Sequence, residues 1–248
     1  MGMRQKQWAV AGQVWNGVEI AGKDSPIVFL HGWGRSSAEW VAFGTELNKV
    51  TGRTVYCLDL PGFGGSPLPQ VNNMEEYAKL LISWMDYLKL EQIDLVGHSL
   101  GGRVGIVLGA TNTNRIGKLV LIDSAGVRPW SLKRMLLKGV AKLFAWVPRE
   151  ARRKVTTGLM DEDYRNSPPL RSLYRAVVKS DLRPYLNKIK NETTVIWGER
   201  DPLLPLVLTK IYQKQIMKVR VRVVWEAGHD PHLSHPRELL RILEEVWI

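Results

Sequence analysis

The chain has 248 residues, 45% of them apolar, which is enough for one sizeable core and excludes a disordered polypeptide. A single cysteine, Cys57, excludes an intramolecular disulfide and fits a reducing compartment. The formal net charge of +11 invites a nucleic-acid reading, but its distribution argues against one: residues 127–190 carry 16 Lys/Arg against 5 Asp/Glu, and the rest of the chain carries 19 of each.

Taken in order, the first dozen residues have no apolar h-region and no cleavage pattern, and Lys6 stands where a myristoylation signal wants Ser or Thr. No apolar run approaches the ~20 residues of a membrane span. The expectation is a soluble cytoplasmic protein. Residues 8–20 alternate weakly and predict a hairpin turning at Asn16-Gly17. Pro26 to Leu30 is a short buried strand that ends in His31-Gly32-Trp33-Gly34. Ser36 or Ser37 can cap the helix that follows, which carries Trp40, Phe43 and Leu47 on one face. Thr54 to Leu58 is the next strand, and the loop Asp59-Leu60-Pro61-Gly62-Phe63-Gly64-Gly65-Ser66 follows it. Residues 74–90 have helical spacing. A strand over 93–96 leads through Gly97-His98-Ser99-Leu100-Gly101 into a helix over 100–111. Strands at 118–122, 193–197 and 219–225 complete the pattern, with helices at 206–217 and 236–246.

Short strands that are apolar on both faces and alternate with helices predict an α/β fold with a mostly parallel sheet covered on both sides. The alternation breaks between residues 127 and 190, where helical patterns and the breakers Pro129, Pro148, Pro168 and Pro169 replace strands. The predicted organisation is therefore a core of residues 1–126 and 191–248, with a helical cap inserted over 127–190. In parallel sheets the working groups gather at the C-terminal ends of the strands. His31, Asp59, Ser99, Asp123 and Asp201 all fall at or just after such ends, and His229 follows the last one.

Gly-x-Ser-x-Gly between a strand and a helix puts a serine on a sharp turn that only small flanking residues permit. A serine hydroxyl needs a general base. Among five histidines, His31 and His98 sit in Gly-flanked turns that suit structural roles, and His229, in the loop after the last strand, is the candidate base, with His232 in reserve. The acid that fixes the tautomer of the base is Asp201 or Asp123, with Asp201 favoured because its loop lies one strand from the histidine loop. The two backbone donors for an oxyanion are placed by position at Leu100 and Trp33.

These motifs resemble the α/β-hydrolase fold superfamily: HGWG at 31–34, DLPGFGGS at 59–66, GHSLGG at 97–102, WGERDP at 197–202 and AGHDPHLSHP at 227–236 stand in that family's order. The resemblance implies Ser99 as nucleophile, Asp201 as acid and His229 as base, with Trp33 and Leu100 lining the oxyanion hole and no metal or cofactor. It implies hydrolysis of a carboxylic ester or thioester. The serine departs from the haloalkane dehalogenases and epoxide hydrolases, which need an aspartate there. Some relatives have lost catalysis, so a ligand-binding protein on the same fold is the alternative.

In the cap, residues 131–147 place apolar side chains on one helical face and Lys133, Arg134, Lys138 and Lys142 around the rest. An ordinary lid over an acyl pocket explains this. The sharper expectation is a basic surface for an anionic carrier (acyl carrier protein or coenzyme A) or an anionic membrane surface. The first is similar to what the carrier-protein methyl ester esterases of biotin synthesis do, and their HGWG turn is similar. The apolar Leu136, Leu143, Phe144 and Trp146 suggest a hydrophobic acyl site.

Overall fold

Ala11 and Gly12 both take positive φ, 48° and 81°, the backbone that a two-residue hairpin turn requires. They join β1 (Met3–Val10) to β2 (Gln13–Ile20), with Trp8 opposite Trp15. The turn thus lies earlier than the expected Asn16-Gly17. Gly17 instead sits in mid-strand, where a Cβ would stand 2.4 Å from the Cys57 carbonyl oxygen. Close strand approach, not a turn, is what demands glycine there. Asn16 holds the loop after the fourth strand by donating its backbone N–H to Ser66 Oγ at 2.9 Å.

This computed structural model describes residues 2–127 and 170–248. The described strands continue as β3 (Lys23–Leu30), β4 (Arg53–Asp59), β5 (Ile93–His98), β6 (Ile116–Ile122), β7 (Thr193–Gly198) and β8 (Val219–Val224). They form one sheet in the order β1-β2-β4-β3-β5-β6-β7-β8. The pairs β1/β2 and β2/β4 are antiparallel and all others are parallel. The chain runs outward one way from β3 to β4 and the other way from β5 to β6. The crevice between β3 and β5 is therefore the switch point, where such sheets hold their ligands.

The described helices are α1 (Val41–Thr51), α2 (Met74–Tyr87), α3 (Leu100–Thr111), α4 (Arg171–Val177), α5 (Arg183–Leu186), α6 (Thr209–Gln215), α7 (Pro231–Ser234) and α8 (Pro236–Trp247). They cover both faces of the sheet. One face packs Val28, Leu30, Leu58, Leu95 and Trp197 against α2, α3 and α6. The other packs Ile27, Phe29, Val55 and Val120 against Trp40, α1 and α8. Strand residues alternate between the two clusters because side chains alternate across a strand. Cys57 is buried among them, and burial pushes its thiol far above the ordinary range.

Local boundaries differ from expectation where tertiary partners intervene. Ser36 stands at the N-cap of a 3₁₀ turn (Ser37–Trp40) that precedes α1, yet no side chain caps it. The Ser37 N–H is taken instead by the Asp59 carboxylate at 2.7 Å. α2 stops at Tyr87 and the chain reverses at Lys89, with φ 56°. The expected helix 206–217 is a 3₁₀ turn (Leu206–Leu208) followed by the two-turn α6. β8 ends at Val224, leaving Trp225 exposed.

Asp94 ties β4, β6 and the C-terminal helix α8 to β5. Its carboxylate accepts from Arg53 Nη1 at 2.7 Å, from the Lys118 N–H at 2.6 Å and from Trp247 Nε1 at 2.7 Å. Residues 128–169, including the basic helix at 131–147 and Leu136, Leu143, Phe144 and Trp146, lie outside the described residues. Residues 170–190 contribute α4 and α5 between β6 and β7.

Candidate active site

Three glycines explain how Ser99 comes to stand where it does. A Cβ on Gly97 would meet the Gly101 carbonyl at 2.4 Å, one on Gly101 would meet the Leu30 carbonyl at 2.4 Å, and one on Gly102 would meet Ser124 Oγ at 2.3 Å. Without side chains, α3 can start directly against β3, β5 and the segment after β6. The turn between β5 and α3 is so tight that Ser99 itself is driven to φ 47°, ψ −102°, a strained conformation for a residue with a Cβ. Hydrogen bonds hold that strain in place: Ser99 N–H donates to Ile122 O at 3.0 Å and Gly101 N–H to His31 O at 3.1 Å.

The structure brings Ser99, His229 and Asp201 together. His229 Nε2 lies 3.1 Å from Ser99 Oγ, and His229 Nδ1 lies 2.7 Å from Asp201 Oδ2. The second oxygen, Asp201 Oδ1, accepts the N–H groups of Leu203 and Leu204 at 2.8 and 2.9 Å. Burial opposes ionisation of Asp201, but the His229 bond and these two N–H donors outweigh it and hold the carboxyl below its usual range. This arrangement sets His229 with Nδ1–H toward Asp201 and the Nε2 lone pair toward Ser99.

The remaining histidines do other work. His31 is buried; its Nε2 accepts the Leu60 N–H at 2.9 Å and its Nδ1–H donates to Gly32 O, which pins the 59–66 loop to the HGWG turn. Burial lowers its affinity for a proton. His98 Nε2–H donates to the backbone carbonyl of His229 at 2.8 Å, so it anchors the loop that carries the candidate base. Desolvation, helped by the neighbouring His232 and His229, keeps it neutral. His232 is buried behind the site, stacked on Trp40 at 4.6 Å and 3.4 Å from a Glu39 carboxylate oxygen. It therefore faces away from Ser99. Asp123 follows β6 and lies beside Asp201, not against the His229 ring nitrogen that Asp201 occupies.

The HGWG turn closes over the serine. A Cβ on Gly32 would lie 2.9 Å from His98 Nδ1 and 3.5 Å from Ser99 Cβ, so Trp33 leaves the turn directly above the elbow. Its ring stands edge-on to Phe63 and Tyr174, with centroids 4.9 and 5.4 Å away. Leu100 opens α3, so its N–H belongs to the unpaired first turn of a helix, where a negative charge is favoured. Trp33, Ser99, Leu100 and His229 all line one cavity of about 250 Å³, whose other walls include Tyr174 and Val178 of the expected cap region. Asp59 was placed at a strand end by its position, but its part is only visible in the fold: it accepts from Ser37 and Gly65 and so braces both loops beside the cavity. Its signal in sequence was the glycine pair that lets the loop curl onto it.

The chain resembles known proteins along most of its length. A model of the alpha/beta hydrolase family matches residues 27–242. The biotin biosynthesis bifunctional protein BioHC of Teredinibacter turnerae is 27% identical over 88% of this chain, which spans 44% of that protein's length. The pimeloyl-[acyl-carrier protein] methyl ester esterase of Aeromonas hydrophila subsp. hydrophila is 27% identical over 92% of this chain and 97% of its own. The 2-hydroxymuconate semialdehyde hydrolase of Pseudomonas sp. strain CF600 is 23% identical over 91% of this chain and 88% of its own. Among the described residues no helix is long and apolar enough to cross a membrane.

Proposed function

The chain belongs to the alpha/beta hydrolase family, and from that membership we infer that it is a serine hydrolase cleaving a carboxylic ester or thioester. The observation that carries this reading is the hydrogen-bonded line from Ser99 through His229 to Asp201. In the proposed reaction Ser99 Oγ attacks the substrate carbonyl carbon while His229 Nε2 takes its proton. The imidazolium is held by the Asp201 carboxylate. The N–H groups of Trp33 and Leu100 receive the developing oxyanion. His229 then returns the proton to the leaving oxygen or sulfur, which departs and leaves an acyl-Ser99. Water, deprotonated by the same ring, releases the acid and restores the serine. No step requires a cofactor or a metal.

A fluorophosphonate probe is expected to label the folded protein at Ser99, and Ser99→Ala is expected to abolish labelling. No labelling of the folded wild type would favour a ligand-binding protein on this fold instead.

We further propose that the substrate acyl group arrives on an anionic carrier, an acyl carrier protein or coenzyme A, that docks against a cap over residues 127–190. Two observations support this. The relatives from Aeromonas and Teredinibacter are named for an acyl-carrier-protein methyl ester esterase and for biotin synthesis. Residues 170–190, which border the cavity, carry six Lys/Arg against Asp181 alone. Docking of this kind is long-range electrostatics and is screened by salt. Raising ionic strength from 0.05 to 0.5 M is expected to lower kcat/KM on an acyl-carrier ester about tenfold and to leave a small neutral ester almost unaffected. An equal response of the two substrates would remove the carrier from the proposal.

A further inference from the structure

Asp123 is an unusual residue to find beside Asp201. It is fully buried, it takes φ 39°, and it belongs to neither the nucleophile turn nor the histidine loop. Its backbone N–H donates to Ile196 O at 2.9 Å, and its Oδ1 accepts the Gly198 N–H at 2.9 Å. These bonds fix the carboxyl in one orientation, at the end of the strand next to β7. Oxygen atoms of Asp123 and Asp201 and a ring nitrogen of His229 all lie within 4.8 Å of one another. The second oxygen, Oδ2, is buried without a hydrogen-bond partner among the described residues.

A buried carboxylate oxygen with no donor is costly, and two carboxylates this close and this deeply buried do not both keep their charge. Asp201 has three donors for its charge: the His229 ring and the Leu203 and Leu204 amides. Asp123 has one. The single negative charge therefore belongs on Asp201, and a proton on Asp123 gives the unpartnered Oδ2 something to do. We propose that Asp123 is a neutral carboxylic acid whose Oδ2 hydroxyl donates to the Asp201 carboxylate, making Asp123 a positioning residue for the acid that orients His229.

The other charged and titratable groups facing it are Asp230, from the loop after β8, and the Tyr212 hydroxyl on α6, which donates to Ser124 O. Burial, Asp201 and Asp230 all favour the protonated form, and the Gly198 amide alone opposes it. The consequence for the chemistry is a moderated acid. A carboxylate that already accepts a proton donor from Asp123 is held in a fixed plane and is a weaker base toward His229 than a carboxylate facing only the ring. The proton stays on Asp123 throughout turnover; no bond to substrate is made or broken by it.

This inference rests on the serine-hydrolase reading, which fluorophosphonate labelling of Ser99 tests separately. Two measurements test it. In protein labelled with ¹³C at aspartate carboxyl groups, infrared spectroscopy at neutral pH should show a protonated-carboxyl band that disappears in Asp123→Asn and survives in Asp230→Asn. Absence of that band in the folded wild type would overturn the proposal without any variant having to fold. In kinetics, Asp123→Asn keeps both a donor and an acceptor, and its kcat/KM should stay within about threefold of wild type, while Asp123→Ala should lose about tenfold. The acid limb of the pH profile should not move in Asp123→Asn. If Asp123 were ionised, that substitution would remove a negative charge from the site and move the limb toward acid pH. Such a shift, or an Asp123→Ala variant as active as wild type, would overturn the assignment.

Discussion

An Asp201→Asn variant is expected to fold and to lose about 10⁴-fold in kcat. The size of the loss follows from the tautomer, not from the charge alone. Asp201 Oδ2 accepts from His229 Nδ1 at 2.7 Å, and its other oxygen is committed to the Leu203 and Leu204 amides. Those two amides require an acceptor at Oδ1, so an asparagine would place its carbonyl there and turn its NH₂ toward His229. A donor facing Nδ1 favours the ring form with its hydrogen on Nε2. That nitrogen would then present N–H, not a lone pair, to Ser99 Oγ, and could no longer take the serine proton. Steady-state kinetics on any ester that the wild type turns over, beside a thermal melt to show that the fold is intact, measures the effect. A variant within tenfold of wild type would mean that His229 draws its orientation from another group.

The second large effect is expected at Gly101. A methyl there would stand 2.4 Å from the Leu30 carbonyl oxygen and 2.7 Å from Leu30 Cβ, and neither is a flexible side-chain end. Gly101→Ala must therefore push the start of α3 away from β3. The bond from the Gly101 N–H to His31 O would lengthen, and with it the link between the elbow and the HGWG turn. Overpacking at a rigid backbone contact costs about 3 kcal/mol or more. We expect Gly101→Ala to lower the urea midpoint accordingly. Any folded fraction should react poorly with fluorophosphonate, because Ser99 and the two amides placed for the oxyanion no longer share one geometry. Gly34→Ala offers a control: Gly34 also lies by the site, with φ 72°, but a methyl there meets nothing within 4 Å. Its cost should stay near the cost of a left-handed backbone, about 1 to 2 kcal/mol. Equal destabilisation by both substitutions would refute the steric argument at Gly101.

Much of the architecture is legible in the sequence. The inner parallel strands are largely apolar on both faces, which is the signature of a sheet covered twice, and the edge strand β8 alternates Val with exposed Arg220 and Arg222. Helix 100–111 was readable to the residue, because the Gly-x-Ser-x-Gly turn marks its start and its apolar run marks its length. The hairpin is legible in the sequence but its turn is misplaced, since Asn-Gly is a strong local turn signal. The requirement that β4 pass within contact of Gly17 is not local. The same reason explains Ser36. As a sequence signal it reads as a cap, and in the fold a carboxylate arriving from β4 meets the helix start first.

The residue types of the site and the order in which they occur are properties of the sequence alone. Ser99, Asp201 and His229 stand at strand ends whose register follows from hydrophobic patterning, and only a fold that brings those ends together could use them. Which histidine and which aspartate lie in line was a matter for tertiary structure. His229 and His232 stand three positions apart in the segment after β8, and Asp123 and Asp201 each follow a strand. Position along the chain favours His229 and Asp201, but local pattern does not show which of each pair reaches the line from Ser99. The distinction comes from α7, which turns His232 back onto Trp40 and leaves His229 over Ser99, and from the Leu203 and Leu204 amides, which stabilise charge on Asp201 and leave Asp123 with a single donor. Side-chain identity sets what chemistry is available, and packing sets which copy of a residue reaches the reacting atom.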